Sequence, residues 1–146
     1  MKITARINNE GARNDVSLST NENVHSIDIP AKTGGKGSKA NGGELLFLAL
    51  ATCYCNDVYR EAAARGIEVV GVEVEVDGEF GSAGEPARNI NYRAKVISRG
   101  SDRDRVAELL KHTDTVAEIH NTLRSGVDVH LDAQEIKIIE PAASDN

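Results

Sequence analysis

The chain has 146 residues, no Trp, 3% aromatic residues and a formal net charge of -6. That length suits a single domain over residues 1–146, with a core drawn from Val, Ile, Leu and Ala that gains further burial by association. The acidic balance and the lack of any basic run argue against nucleic acid as a partner. MKITARINN has no apolar signal segment, so a cytoplasmic protein is expected. There two cysteines two positions apart, Cys53 and Cys55, do not make a disulfide framework.

Residues 3–7 and 16–29 read as strands. Val16-Ser17-Leu18 and Val24-His25-Ser26-Ile27-Asp28-Ile29 alternate apolar with polar side chains, as a half-buried antiparallel sheet does. Asn8, Asn9 and Gly11, then Asn21 and Asn23, suit hairpin turns, and Pro30 closes the run. Ala31 to Gly43, AKTGGKGSKANGG, has no periodicity and reads equally as a surface loop or as a lid over a substrate.

Asn41 to Gly66 dominates the chain. It runs for over twenty residues without Pro or Gly after its opening glycine pair and stops at a glycine suited to a helix C-terminus. The first half is apolar from Leu45 to Ala51; the second carries Asn56, Asp57, Arg60, Glu61 and Arg65. The apolar run is too short to span a bilayer, so the fold should enclose that end of the helix. Ile67 to Phe80 then alternates Val70, Val72, Val74 and Val76 with acidic residues, a strand with one face buried. Asp77-Gly78 and Gly81 to Pro86 supply turns, and Ile90, Tyr92, Ala94 and Val96 continue a second strand, so a hairpin follows.

Ser101 or Asp102 caps a helix to about His112 with Val106, Leu109 and Leu110 inside. Asp114 or Thr115 starts a shorter one carrying Val116, Ile119 and Leu123 and closed by Gly126. Val127, Val129 and Leu131, then Glu135 to Ile139, read as final strands, and Pro141 to Asn146 as a frayed tail. The order is that of an α+β chain with antiparallel pairing.

At about 100° per residue Cys53 and Cys55 lie roughly 200° apart on a helix and cannot join without breaking it. Cys53 shares its stripe with Asp57 and Arg60, whose guanidinium favours thiolate while the carboxylate opposes it. Cys55 shares its stripe with Ala51, Val58 and Ala62 and reads as a small hydrophobe. On these residues alone, two ordinary core cysteines and a reactive Cys53 both stand. His25, His112, His120 and His130 lack the spacing of a zinc site, and no Ser-His-Asp elbow, phosphate loop or dinucleotide fingerprint is present, so neither metal nor cofactor is expected.

Asn41-Gly-Gly-Glu-Leu-Leu-Phe-Leu-Ala-Leu-Ala-Thr-Cys53, the helix end Ala-Arg-Gly66-Ile67 and the Val-alternating strand resemble the OsmC/Ohr family, the osmotically inducible and organic hydroperoxide resistance proteins. His120-Asn121-Thr122-Leu123-Arg124-Ser125-Gly126-Val127 resembles that family's second-cysteine segment. The resemblance implies an OsmC-like fold, antiparallel sheets around a long central helix in an intertwined homodimer with its sites at the subunit interface. It implies that Cys53 is a peroxidatic thiol, oxidised by a hydroperoxide to a sulfenic acid that a second cysteine resolves. It places the supporting carboxylate at Gly43 or Glu44 and the supporting arginine at Arg13 or Arg6, with Cys55, Arg60 and Asp57 as accessory groups. The resolving position falls at Ala117, and no cysteine follows Cys55. Three readings stay open: a one-cysteine peroxidase recycled by an external thiol, Cys55 as resolver, or a non-peroxidase homodimer binding a small apolar or thiol-containing ligand.

Overall fold

The computed structural model describes residues 1–100 and 103–138. Three strands, β1 (Ile3–Glu10), β2 (Arg13–Thr20) and β3 (Asn23–Ser26), form an antiparallel sheet in chain order. Asn8 and Asn9 lie inside β1, paired with Asp15 and Asn14, so the turn is Gly11-Ala12 alone and both strands are longer than expected. The hairpin turn expected at Asn21 is formed, with Asn21 at a left-handed φ of 54°, and it separates β2 from β3, which Asn23 opens. Ile27 to Ile29 lie beyond the last strand pairing. The loop from Ala31 to Gly43 folds back on this sheet: Gly37 N donates to Asn9 Oδ1 at 2.9 Å, and Asn14 Nδ2 donates to the Ile29 carbonyl at 2.7 Å.

The helix α1 (Gly42–Ala64) starts at a capping box. Asn41 Oδ1 accepts from Glu44 N at 2.9 Å and Glu44 Oε2 accepts from Asn41 N at 2.8 Å, which satisfies two donors that a helix start leaves free. It stops where Gly66 enters the left-handed region at φ 61°, as expected for a glycine just past a helix end. Its burial does not follow its hydropathy, although Leu50 in the apolar half is buried. Leu48 and Ala49 in the apolar half are exposed, whereas Tyr54, Asp57, Val58 and Ala62 in the polar half are buried. The reason is geometric: α2, α3 and the start of β4 enclose the second half, whereas among the described residues the first half meets the end of β4 at Phe47 and Phe80.

Strands β4 (Glu68–Glu79) and β5 (Arg88–Arg99) form the expected antiparallel hairpin. Their outer face pairs opposite charges, Arg93 with Glu75 and Asp77 and Arg99 with Glu68. Two register shifts correct the simple alternation. A bulge between Val69 and Gly71 turns Val69 inward and leaves Val70 48% exposed, since one extra residue inverts the facing of those before it. A second shift lies opposite Gly78, where β5 carries the extra residue at Asn89-Ile90 with Asn89 at a left-handed φ of 53°, so Asp77-Gly78 lies within β4 rather than in a turn. A Cβ at Gly78 would lie 2.7 Å from the tip of the Phe47 ring, so a larger residue would have to push that ring aside.

The helix α2 (Arg103–Val116) outlasts His112 by a turn; its expected cap at Ser101 or Asp102 lies outside the described residues. Leu109 is fully buried, with Val106 and Leu110 beside it. Asp114 and Thr115, expected to cap the next helix, close α2 instead, with Thr115 Oγ1 donating to the His112 carbonyl at 2.7 Å. The last helix, α3 (Glu118–Ser125), ends at Gly126 as expected, but its buried residue is His120; Ile119 and Leu123 are partly exposed. The expected final strands are not formed over 127–138: these residues pair with nothing regular, and Val127, Val129, Leu131, Ile136 and Ile138 are exposed. Residue 139 and the tail lie outside the described residues. The core is one cluster of Tyr54, Val58, Ala62, Ile67, Leu109 and Ala117 under the hairpin. No helix among the described residues is long and apolar enough to cross a membrane.

Candidate functional site

The second half of α1 presents Cys53, Asp57 and Arg60 on one stripe because four- and three-residue steps return to the same face. The Cys53 thiol donates to Asp57 Oδ2 at 3.5 Å. Asp57 is 3% exposed and is held there by Arg60, whose Nη1 lies 2.5 Å from Oδ1. Arg60 also meets Glu61 at 3.2 Å, so its guanidinium is committed to carboxylates rather than turned on the sulfur.

From the far side comes the start of α3. Glu118 Oε2 is 4.0 Å from Cys53 Sγ, and the backbone N–H of Ile119 lies on the same side and acts to lower the thiol's pKa. The residue before the helix, Ala117, offers no side-chain cap. The Ile119 N–H is one of those that a helix start leaves free. Burial pushes the Cys53 thiol up, the Ile119 N–H pulls it down, and the charges of Asp57 and Glu118 add to the rise. The net direction is upward. An activated thiolate beside an arginine, the expectation for a working peroxidatic cysteine, is not the arrangement within one chain.

Of the other expected residues, Glu44 spends its carboxylate on the capping box, about 13 Å along the helix axis from Cys53 at the usual rise per residue. Arg13 pairs with Asp15 at 3.0 Å on the exposed first hairpin, and Arg6 lies on β1, whose residues are all exposed. Neither is brought to Cys53 within the chain. Cys55 faces away and borders a groove of about 250 Å³ with Ala51, Thr52, Asn56 and Val74. It is half-buried rather than enclosed. Ala117, at the position implied for a resolving cysteine, is fully buried, and its neighbour Glu118 is the residue that reaches the sulfur.

Sγ of Cys53 and carboxylate oxygens of Asp57 and Glu118 all lie within 4.8 Å of one another, a donor set that a divalent ion could use. Arg60, 2.5 Å from Asp57 and 3.9 Å from Glu118, already supplies the countercharge.

Behind the site sits a group that spacing did not reveal. His120 is 5% exposed, its ring 4.7 Å from Tyr92 and 5.9 Å from Tyr54. Tyr54 Oη donates to the Leu110 carbonyl at 2.8 Å, and burial pushes its hydroxyl up to about 12. Tyr92 Oη donates to Asp114, which Arg124 also holds at 2.6 Å; these bonds keep the Asp114 carboxyl below the usual range. Tyr54 and His120 are packing residues here, whereas Tyr59 is 44% exposed. The only advance signal was the position of His120 in the segment resembling a second-cysteine motif.

Residues 35–132 match the family model for OsmC-like protein. Among solved structures, an OsmC-like protein from Mycoplasma pneumoniae aligns with a TM-score of 0.61 at 20% identity, over 86% of this chain and 87% of that one. An OsmC-like protein of unknown function from Vibrio cholerae gives 0.60 at 13% identity, over 84% and 93%. An organic hydroperoxide resistance protein from Legionella pneumophila gives 0.54 at 17%, over 88% and 93%. At these identities the likeness is one of fold. No curated protein sequence matches the chain. With a family model spanning well over half its length and the same α+β arrangement in solved members, the chain belongs to the OsmC-like protein family.

Proposed function

We propose that the chain is a cytoplasmic, homodimeric hydroperoxide reductase that uses Cys53 as its only redox thiol in a detoxification role. The observation that carries this reading is the Cys53 thiol donating to a buried proton acceptor, Asp57, at 3.5 Å. Asp57 takes the thiol proton as the sulfur attacks the distal peroxide oxygen. The O–O bond breaks, the alkoxide leaves as an alcohol with that proton, and the sulfur, oxidised by two electrons, becomes a sulfenic acid. An external thiol then displaces water to give a mixed disulfide, and a second thiol returns Cys53 to its reduced form. Arg13 and Glu44 join this site only from a second copy. The exposed apolar residues of β1, of Leu48 and of 127–138 are the surface such a dimer would cover.

The test is intact-mass analysis after cumene hydroperoxide and a sulfenic-acid trap. A fast adduct confined to Cys53 is expected, and no adduct at millimolar peroxide would sink the reading. The upward shift of the Cys53 thiol favours one alternative, an OsmC-like homodimer that binds a small apolar or thiol-containing ligand at its interface without reducing peroxide. Cys53 would then stay inert to peroxide while the dimer still took up a fluorescent apolar probe.

A further inference from the structure

Asn41-Gly42 is the chain's only Asn-Gly step, and it stands where α1 begins. An asparagine in this position is open to attack by its own backbone. The nitrogen of the next residue can reach the side-chain amide, and a glycine there has no side chain to obstruct it. We propose that Asn41 is a deamidation site that the capping box of α1 holds shut. The inference concerns the entry to α1 and goes beyond the chemistry proposed for Cys53.

The reaction needs only water and changes no oxidation state. The Gly42 nitrogen bonds to Asn41 Cγ and gives up its proton; the Cγ–Nδ2 bond breaks, ammonia leaves and a cyclic imide remains. Water then opens the imide at either carbonyl. Opening at Cγ gives aspartate, and opening at the main-chain carbonyl carbon gives isoaspartate, whose backbone runs through the side chain and is longer by a carbon. The site has room for the ring. Asn41 and Gly42 are both exposed, and a Cβ at Gly42 would meet nothing within 4 Å. The crowded glycine is the next one, Gly43, where a Cβ would lie 2.7 Å from the Phe80 ring.

What holds the site shut is backbone conformation. Ring closure brings Cγ and the Gly42 nitrogen side by side across the Asn41 Cα–C bond, with ψ between the extended and helical wells, where few residues rest. Asn41 sits in the extended well, at φ -87° and ψ 164°. Its N–H donates to Glu44 Oε2 at 2.8 Å, its Oδ1 accepts from Glu44 N at 2.9 Å, and its carbonyl accepts from Leu45 N at 3.1 Å. Turning ψ swings the carbonyl off Leu45 N, and carrying Cγ to the Gly42 nitrogen withdraws Oδ1 from Glu44 N. Glu44 therefore restrains both the main chain and the side chain of the residue that would react. The products differ in what they leave of the helix start. Aspartate still offers an oxygen to Glu44 N, and its charge suits that end of a helix. In isoaspartate the added main-chain carbon moves the acceptor away, and the cap is lost.

The test is peptide mapping by mass spectrometry on the full chain kept at mildly alkaline pH, folded and in guanidinium. An isoaspartyl methyltransferase, which labels isoaspartate and not aspartate, tells the products apart. The mass gain should localise to Asn41, at a rate about five- to thirtyfold lower in the folded chain than in guanidinium, the factor that a helix cap supplies. Glu44→Ala removes one arm of the box and should speed the reaction of the folded chain about fivefold. Gly42→Ala, whose methyl group the site accommodates, should slow it in both states. Melting curves show whether each variant folds; if Glu44→Ala does not, the folded-to-unfolded ratio of the unaltered chain decides. The proposal is overturned by equal rates in the two states, by a gain in the folded chain that localises elsewhere, by an unchanged rate in folded Glu44→Ala, or by a Gly42→Ala as fast as the unaltered chain. A Cys53 inert to peroxide would defeat the proposed function and leave this result standing.

Discussion

Cys53 and Cys55 sit two positions apart on one helix and meet opposite environments. Cys53 faces a buried carboxylate, an arginine bound to it and the start of another helix, all fixed by hydrogen bonds. Cys55 faces an open groove with Ala51, Thr52, Asn56 and Val74, away from Asp57 and Glu118. The same side chain thus has a buried carboxylate to take its proton on one face and, among the described residues, none on the other. Reactivity in this helix is a property of the stripe rather than of the residue.

Substitutions can break that contrast, the largest effect first. Cys53→Ser should reduce peroxide consumption to the uncatalysed background in a coupled thiol assay. Asp57→Asn should act in two directions. It should lower the pH midpoint of Cys53 alkylation, because a charge that raises the thiol is gone, and slow peroxide reduction about a hundredfold, because the proton acceptor is gone. A faster peroxidase in Asp57→Asn would mean that Asp57 only restrains the thiol. Glu118→Gln should lower the same midpoint by less, since its carboxylate is farther away and largely exposed. Glu44→Gln keeps the capping box and should leave the melting temperature in place, whereas Asn41→Ala should cost about 1 kcal/mol in denaturant unfolding. A drop in peroxide reduction in Glu44→Gln without loss of stability would support its role toward a second copy. Cys55→Ser should leave the rate within about twofold; a loss equal to that of Cys53→Ser would make Cys55 the resolver.

The sequence carried the parts of this picture that depend on local spacing. The limits of α1, the β4–β5 hairpin, the inner face of α2 and the Cys53-Asp57-Arg60 stripe follow from periods of 3.6 and 2 and from glycine placement. What it hid depends on tertiary context. A bulge exchanged Val69 for Val70, and nothing in a run of valines marks where an extra residue goes. Glu118 reaches the sulfur from 65 positions away, a distance that no motif encodes. The alternation of Val127, Val129 and Leu131 signals a strand, but a strand needs a neighbouring edge, and none among the described residues pairs with it. His120 looked like one histidine among four because its burial comes from Tyr54 and Tyr92, on two other elements.

The chain has three tyrosines and no tryptophan, and two of the three, Tyr54 and Tyr92, stand with ring centroids 4.9 Å apart against His120. Near-ultraviolet absorption and intrinsic fluorescence therefore originate largely beside the candidate site. An optical melting curve of this protein would follow the surroundings of α3 more closely than those of the N-terminal sheet, whose strands hold no tyrosine at all. A label-free spectrum thus doubles as a local gauge of whether α3 is seated.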